Sequence, residues 1–281
     1  MITPSKNIFK IAILDLYEGT ANRGMMGIKN ILHDFATKYQ LNFEVAVFDV
    51  RLKQEIPTLD FDIFISSGGP GNPSDSKETE WEKKYFKWIA DIMNFNKVNE
   101  NKKHVFFICH SFQLACRFFN IASVNKRKST SFGVFPVHLE KNGMEEPIFN
   151  ILSNPFYAVD NRDYQVVQPN FDLLSKMQMK ILAIEKERPL IPLERAVMAI
   201  RFSDTIIGTQ FHPEANVEGM LEYLQFEKKE LVILNHGEEK WTSMIQQLHD
   251  PEKIMLTYHQ VLPNFLKIAV FNTINPTPHG S

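Results

Sequence analysis

The sequence predicts an α/β protein: an open, largely parallel central sheet flanked by helices, with a helical C-terminal extension. Three observations carry this reading. Short apolar runs at Ile11–Leu14, Phe61–Ile65 and Val105–Ile108 have the length of buried strands. Helical periodicity separates them, at Ile28, Ile31, Leu32, Phe35 and Tyr39 and again at Trp81, Tyr85, Trp88 and Ile89. Beyond Asn216 the strand signals stop and only helical spacing continues. Strands that alternate with helices favour parallel pairing through right-handed crossovers. Ligands of such sheets bind at the carboxyl ends of the strands.

Taken in order, Ile11–Leu14 forms the first strand and ends at Asp15. A loop with Gly19, Asn22 and Gly24 leads into the first helix, and Phe43–Val50 forms the second strand. The third strand, Phe61–Ile65, runs into Ser66-Ser67-Gly68-Gly69-Pro70-Gly71, and a helix over Glu80–Met93 follows. Val105–Ile108 ends at Cys109, and Ser111–Phe119 reads as a helix with Phe112, Ala115, Cys116 and Phe119 on one face. Phe132–Leu139 alternates as a strand in which Pro136 argues for an edge or a bulge. Tyr157–Val159, Gln165–Val167 and Ile181–Ile184 are shorter β pieces. Ala196–Phe202 and Thr205–Gln210 flank Ser203-Asp204 as a hairpin that ends in Phe211-His212-Pro213-Glu214. Three helices follow, at Met220–Leu224, Trp241–Leu248 and Ile254–Leu262, the last broken by Pro263. No linker interrupts the body. The expected division is therefore 1–216 for the α/β domain, 217–270 for a helical extension packed on it, and 271–281 for a flexible tail.

Composition limits the function. The 281 residues carry a formal net charge of −2, which gives no reason to expect nucleic acid or an anionic membrane as partner. Lys126-Arg127-Lys128 is the one basic cluster and reads as a solvated turn. Two cysteines make no disulfide framework, and no signal segment or membrane-length apolar run is visible, so a cytoplasmic location is expected.

Three strand ends carry chemistry-bearing residues: Gly68-Gly69, Cys109 and His212 with Glu214. A lone cysteine after a strand is more often a packing residue than a nucleophile. On a strand-to-helix turn, however, the helix-start N–H groups face the sulfur and can bind an oxyanion. In a parallel sheet the three ends can converge. His212 would then deprotonate Cys109 and Glu214 would orient the imidazole. Gly69 and the His110 amide, which follows the cysteine, would stabilise a tetrahedral oxyanion. A phosphate loop at Gly68–Gly71 is disfavoured because the Gly-Lys-Ser/Thr ending is missing.

With these motifs in this order, the sequence resembles the class I glutamine amidotransferases, and most closely the glutaminase part of GMP synthase. Ser67-Gly68-Gly69-Pro70 looks like the family's oxyanion strand, Ile108-Cys109-x-x-x-Gln113 like its nucleophile elbow, and Gly208-Thr209-Gln210-Phe211-His212-Pro213-Glu214 like its histidine-glutamate strand. The resemblance spans about residues 10 to 220 and implies flavodoxin-like layering. It also implies hydrolysis of the side-chain amide of L-glutamine through a cysteinyl γ-glutamyl thioester. Cys109, His212 and Glu214 would be catalytic, Gly69 and His110 would hold the oxyanion, and Gly68 and Gln113 would contact substrate. No cofactor and no metal are needed for this half-reaction.

Two departures stand out. Phe107 and Ser111 occupy positions where the family usually has glycine, which points to altered oxyanion geometry or access. Asn161-Arg162 stands where the family has a Ser-His pair; Arg162 is expected to bind a carboxylate bidentately, unless it pairs at the surface with Asp160 or Asp163. No synthetase region follows residue 214, so the expected ammonia acceptor is a separate synthetase. The alternatives are a γ-glutamyl amide or peptide hydrolase of the same fold and a silent binding homologue. A zinc site built from Cys109, His212 and Glu214 fits the surrounding residues less well than acyl transfer does.

Overall fold

The computed structural model describes residues 8–274 apart from 21, 191, 223, 226–228 and 251–252. The chain runs β1 (Ile8–Asp15), α1 (Arg23–Tyr39), β2 (Asn42–Asp49), β3 (Ile63–Ser66), α2 (Glu80–Val98), β4 (His104–Ile108) and α3 (His110–Phe119). Then come β5 (Ser123–Leu139), α4 (Lys141–Met144), a 3-10 turn (Pro147–Phe149), β6 (Phe156–Val167), α5 (Phe171–Lys176), β7 (Lys180–Glu185), β8 (Val197–Ser203) and β9 (Ile206–Thr209). The described helices at the end are α6 (Val217–Glu222), α7 (Lys229–His236), α8 (Glu238–Leu248) and α9 (Ile254–Ile274).

The strands form one sheet in the order β2-β1-β3-β4-β9-β8-β7-β5-β6. From β2 to β9 every pairing is parallel. From β9 to β6 every pairing is antiparallel. The α/β class with a helix-flanked sheet is the one the sequence predicts. Strand alternation explains the layering. In β4, Phe106 and Ile108 join the apolar layer that includes residues of α1 and α9, whereas Val105 and Phe107 join the layer that includes residues of α2 and α3. A third cluster lets Met220, Val232, Met244 and Leu248 cover Val134 of β5 and Val159 of β6.

Local signals set the element ends. The Asn22 side chain accepts the Met25 N–H at 2.9 Å and caps α1, and Gln40 closes that helix with a left-handed φ of 54°. Pro136 lies one residue before β7 joins β5, so its missing N–H falls where β5 has β6 on one side only.

Four expectations need correction. The two β pieces at 157–159 and 165–167 are one strand, β6, because the residues between them pair with Ser131–Gly133 of β5. Arg127 is not in a solvated turn. It lies in β5, and its half-buried guanidinium meets Glu185 at 3.0 Å. Pro263 does not break α9: the helix continues to Ile274. Val261, Leu262, Phe265, Leu266, Ala269 and Val270 form a buried stripe around it. At about 1.5–3 kcal/mol for each large apolar side chain, that stripe outweighs the roughly 3 kcal/mol cost of an interior proline. Finally, Phe271–Ile274 belongs to α9; the remaining tail, 275–281, and the Met1–Lys6 stretch lie outside the described residues.

Candidate active site

β3, β4 and β9 are neighbours in the parallel half of the sheet. Their carboxyl ends bring Gly69, Cys109, His212 and Glu214 to one cavity of about 720 Å³. Cys109 caps α3 with φ 49° and ψ −99°, a conformation that non-glycine residues rarely adopt. The surroundings over-determine it. Its N–H donates to the Thr209 carbonyl at 2.8 Å, and its carbonyl accepts the Gln113 N–H at 3.0 Å. The first amides of α3, His110 among them, have no intrahelical acceptor and are free to face an anion.

Ser111 reinforces this turn. Its hydroxyl accepts the Ile108 N–H at 2.8 Å and donates to the Ser66 carbonyl at 2.7 Å, tying the end of β4 to the end of β3. Phe107 is absorbed on the opposite face. A Cβ at Gly208, its partner on β9, would lie 3.0 Å from the Phe107 Cβ and 2.9 Å from the Phe112 ring, so the missing side chain at 208 makes room for Phe107. Neither Phe107 nor Ser111 lines the cavity, and the expectation that they change access to it is corrected.

His212 sits just past β9, where its N–H donates to the Val159 carbonyl of β6 at 2.9 Å. Its Nδ1 lies 2.8 Å from Glu214 Oε1. Burial works against the imidazolium, but the Glu214 carboxylate and the Cys109 sulfur outweigh it and hold the His212 pKa well above the ordinary value. His212 Nε2 makes no hydrogen bond among the described residues. The Cys109 sulfur still lies close enough to raise the imidazole's pKa, and catalytic hydrogen bonds of this kind often tighten only when substrate binds. Glu214 is 1% exposed, and its backbone fits against α1 only because residue 27 is glycine. A Cβ there would lie 2.1 Å from the Glu214 carbonyl oxygen. Gly68 packs on the His212 ring: a Cβ at 68 would lie 3.0 Å from His212 Cε1 and 3.0 Å from the Tyr17 hydroxyl.

The other sequence-derived candidates have more varied surroundings. Gln113 borders the cavity, but its amide donates to the Tyr164 carbonyl at 3.1 Å and to Gln210 Oε1 at 3.0 Å. Burial, with Arg51 and Arg117 adding to it, pushes the His110 pKa down to about 3, so its ring is neutral. Asn161 lines the cavity, and its carbonyl lies 3.9 Å from Cys109 Sγ. Arg162, the next residue on the strand, also borders the cavity, but its side chain is spent on partners within the protein. Its guanidinium binds Asp160 at 2.9 Å and Glu185 at 3.3 Å, with 1% of the side chain exposed. The carboxylate it binds is therefore the protein's own Asp160, reached through Nε alone, in a buried pair rather than the bidentate or surface contact expected.

Sequence reasoning missed Gln210, whose Nε2 donates to Cys109 Sγ at 3.6 Å, and Tyr17, which lines the cavity. Gln210 stands inside a recognised motif; a glycine inside the α1 periodicity is the one signal for the close approach at Gly27. Among the described residues no group of three or more His, Cys, Asp or Glu is arranged to hold a metal ion, and no helix is long and apolar enough to cross a membrane.

The site thus sets a cysteine on a strained turn beside a carboxylate-paired histidine, at the carboxyl ends of the parallel strands. The family model for class-I glutamine amidotransferases matches residues 25–229, and the chain belongs to that family. No curated protein sequence matches it significantly. Among solved structures it is similar to a glutamine amidotransferase from Thermotoga maritima, with 14% identity over 93% of this chain and 98% of that one and a TM-score of 0.65. It is also similar to the glutaminase domain of Trypanosoma brucei CTPS with bound acivicin, with 15% identity, 97% and 96% coverage and a TM-score of 0.56. A GMP synthase-like subunit from Thermoplasma acidophilum shares 20% identity over 74% of this chain and 85% of that one, with a TM-score of 0.50. At these identities the likeness is one of fold.

Proposed function

We propose that the chain hydrolyses the side-chain amide of L-glutamine through a γ-glutamyl thioester on Cys109. Cys109 Sγ attacks the carboxamide carbon, and its proton passes to His212 and on to the leaving ammonia as the C–N bond breaks. Water then attacks the thioester carbon, giving a proton to His212, which returns it to the departing sulfur. Glu214 holds the imidazole in orientation, and the Gly69 and His110 amides receive the oxyanion in both steps. Gly68 and Asn161 contact the glutamyl portion. The single observation that supports this reading most is the His212–Glu214 pair at 2.8 Å beside a cysteine held at φ 49°. The ammonia passes to a separate cytoplasmic synthetase, as in a GMP synthase assembled from two chains.

The experiment is ammonia and glutamate release from glutamine by wild type and Cys109→Ala. Equal release of both products by wild type and none by the variant is the expected result. Release that survives Cys109→Ala overturns the assignment of the nucleophile.

One observation favours a second reading, hydrolysis of larger γ-glutamyl amides or peptides. The cavity of about 720 Å³ lies within the range of about 300–1,000 Å³ typical of drug-sized ligands. Free glutamine leaves much of it open, and Met26, Phe132, Val159 and Met220 give it apolar walls. A panel of γ-glutamyl compounds with amine portions of rising size decides between the two: this reading requires kcat/KM to rise with size.

A further inference from the structure

We propose that Gln210 is a catalytic residue that donates a fixed N–H to the Cys109 sulfur, and that Gln113 is a positioning residue that aims it. The proposal rests on the cysteine chemistry above and adds two amide side chains to it.

The orientation of both amides follows from a single backbone group. The Tyr164 carbonyl can only accept, so the side-chain atom of Gln113 facing it at 3.1 Å must be Nε2. That same nitrogen lies 3.0 Å from Gln210, which must therefore present its oxygen. With Oε1 so engaged, the remaining end of the Gln210 amide is its NH₂ group, 3.6 Å from Cys109 Sγ. Gln210 is 0% exposed, so water offers its amide no alternative partner, and both N–H groups of Gln113 are already spent on Tyr164 and Gln210. Tyr164 lies on β6, Gln113 on α3 and Gln210 just after β9, so three elements fix one N–H.

The sulfur meets two kinds of group. The Asn161 carbonyl at 3.9 Å can accept only from a neutral thiol. The Gln210 N–H favours negative sulfur, which is present before attack and again when sulfur leaves the thioester carbon. His212, with Glu214 behind it, and His110, next in sequence, are the titratable groups closest to this assignment, and none of them is altered in the variants below. A donor that acts on sulfur and not on the bound substrate is expected to affect kcat and to leave KM unchanged.

The decisive reagent is iodoacetamide, which alkylates the sulfur anion and needs no glutamine. In Gln113→Glu the isosteric carboxylate cannot donate, so the Gln210 amide turns over and presents its oxygen to the sulfur. In Gln210→Met the donor is absent and the volume is kept. Both variants are expected to alkylate Cys109 about tenfold more slowly at neutral pH, with the rate profile displaced to higher pH and the melting temperature close to that of wild type. In glutamine turnover, Gln210→Met is expected to lower kcat with KM unchanged. Wild-type alkylation rates and profiles in either folded variant overturn the proposal. Slower alkylation in a protein that leaves glutamine intact sustains the amide pair and removes the glutaminase reading instead.

Discussion

The two halves of the sheet do different work. In the parallel half, β3, β4 and β9 are short and almost wholly apolar, and the residues of interest emerge only where the strands stop. In the antiparallel half, polar side chains lie within the strands. Glu185 of β7 meets Arg127 at 3.0 Å, Arg162 at 3.3 Å and Arg188 at 2.9 Å, and Arg162 also meets Asp160 at 2.9 Å. The parallel half thus delivers Cys109, His212 and Glu214 at its strand ends, whereas the antiparallel half holds β6 in place by charge and offers its backbone, at Val159, Asn161 and Tyr164, to the site. Substitutions in the antiparallel half should reach stability first, and those at the parallel strand ends should reach chemistry first.

Breaking the charge network has the largest expected effect. Glu185→Ala leaves three arginines around one vacated position, and unpairing buried charge costs about 3–5 kcal/mol. Urea unfolding should show that loss. The same residue sets an acid limit. Burial works against its carboxylate, but Arg162, Arg127 and Arg188 outweigh burial and hold its pKa below the ordinary range. A depressed pKa gives stability that is present above the ordinary carboxylate range and lost as pH falls through the folded value. Wild type should therefore lose more stability on acidification than Glu185→Gln does.

Gly27→Ala tests the other half. Its Cβ would displace the Glu214 backbone, and a displacement near 1 Å at a reacting group costs about a hundredfold in turnover. Overpacking adds about 1–3 kcal/mol of destabilisation. Steady-state turnover alongside thermal melting separates the two, and a variant with full turnover would show that Glu214 is not held from α1.

Glu214→Gln removes the partner that most raises the His212 pKa. A raised pKa gives stability that is present below the ordinary imidazole range and lost as pH rises through the folded value. In Glu214→Gln this alkaline loss should begin at lower pH, and the His212 resonance followed by NMR should titrate lower than in wild type.

Ser111→Gly has the smallest expected effect, about 1 kcal/mol from the lost hydroxyl bonds. Because Ser111 does not line the cavity, KM should stay at the wild-type value.

The parts legible in sequence are those whose geometry is local. The Cys109 turn joins a strand to a helix, and His212 reaches Glu214 within two residues, so the motifs carry those contacts with them. For Arg162 the pair with Asp160, two residues back, is legible, but its second partner Glu185, 23 residues on in another strand, is not, and neither is its burial. Gln210 escapes notice because its contact with Cys109 spans 101 residues. Phe107 is anomalous in the sequence until Gly208, across the β4–β9 pairing, supplies the missing volume. Pro263 obeys no local rule here, because the buried stripe of α9 overrides it. Fold class needs only apolar periodicity and element order; the antiparallel half, with its long β5 and β6, needs pairing partners that no window of sequence contains.

The most direct measurement is mass spectrometry of Cys109 peptides from protein quenched with acid during turnover of glutamine. Hydrolysis through Cys109 predicts a γ-glutamyl group on that residue that disappears once glutamine is exhausted. Glutamate accumulating while Cys109 stays unmodified, or a γ-glutamyl group on another residue, would contradict it.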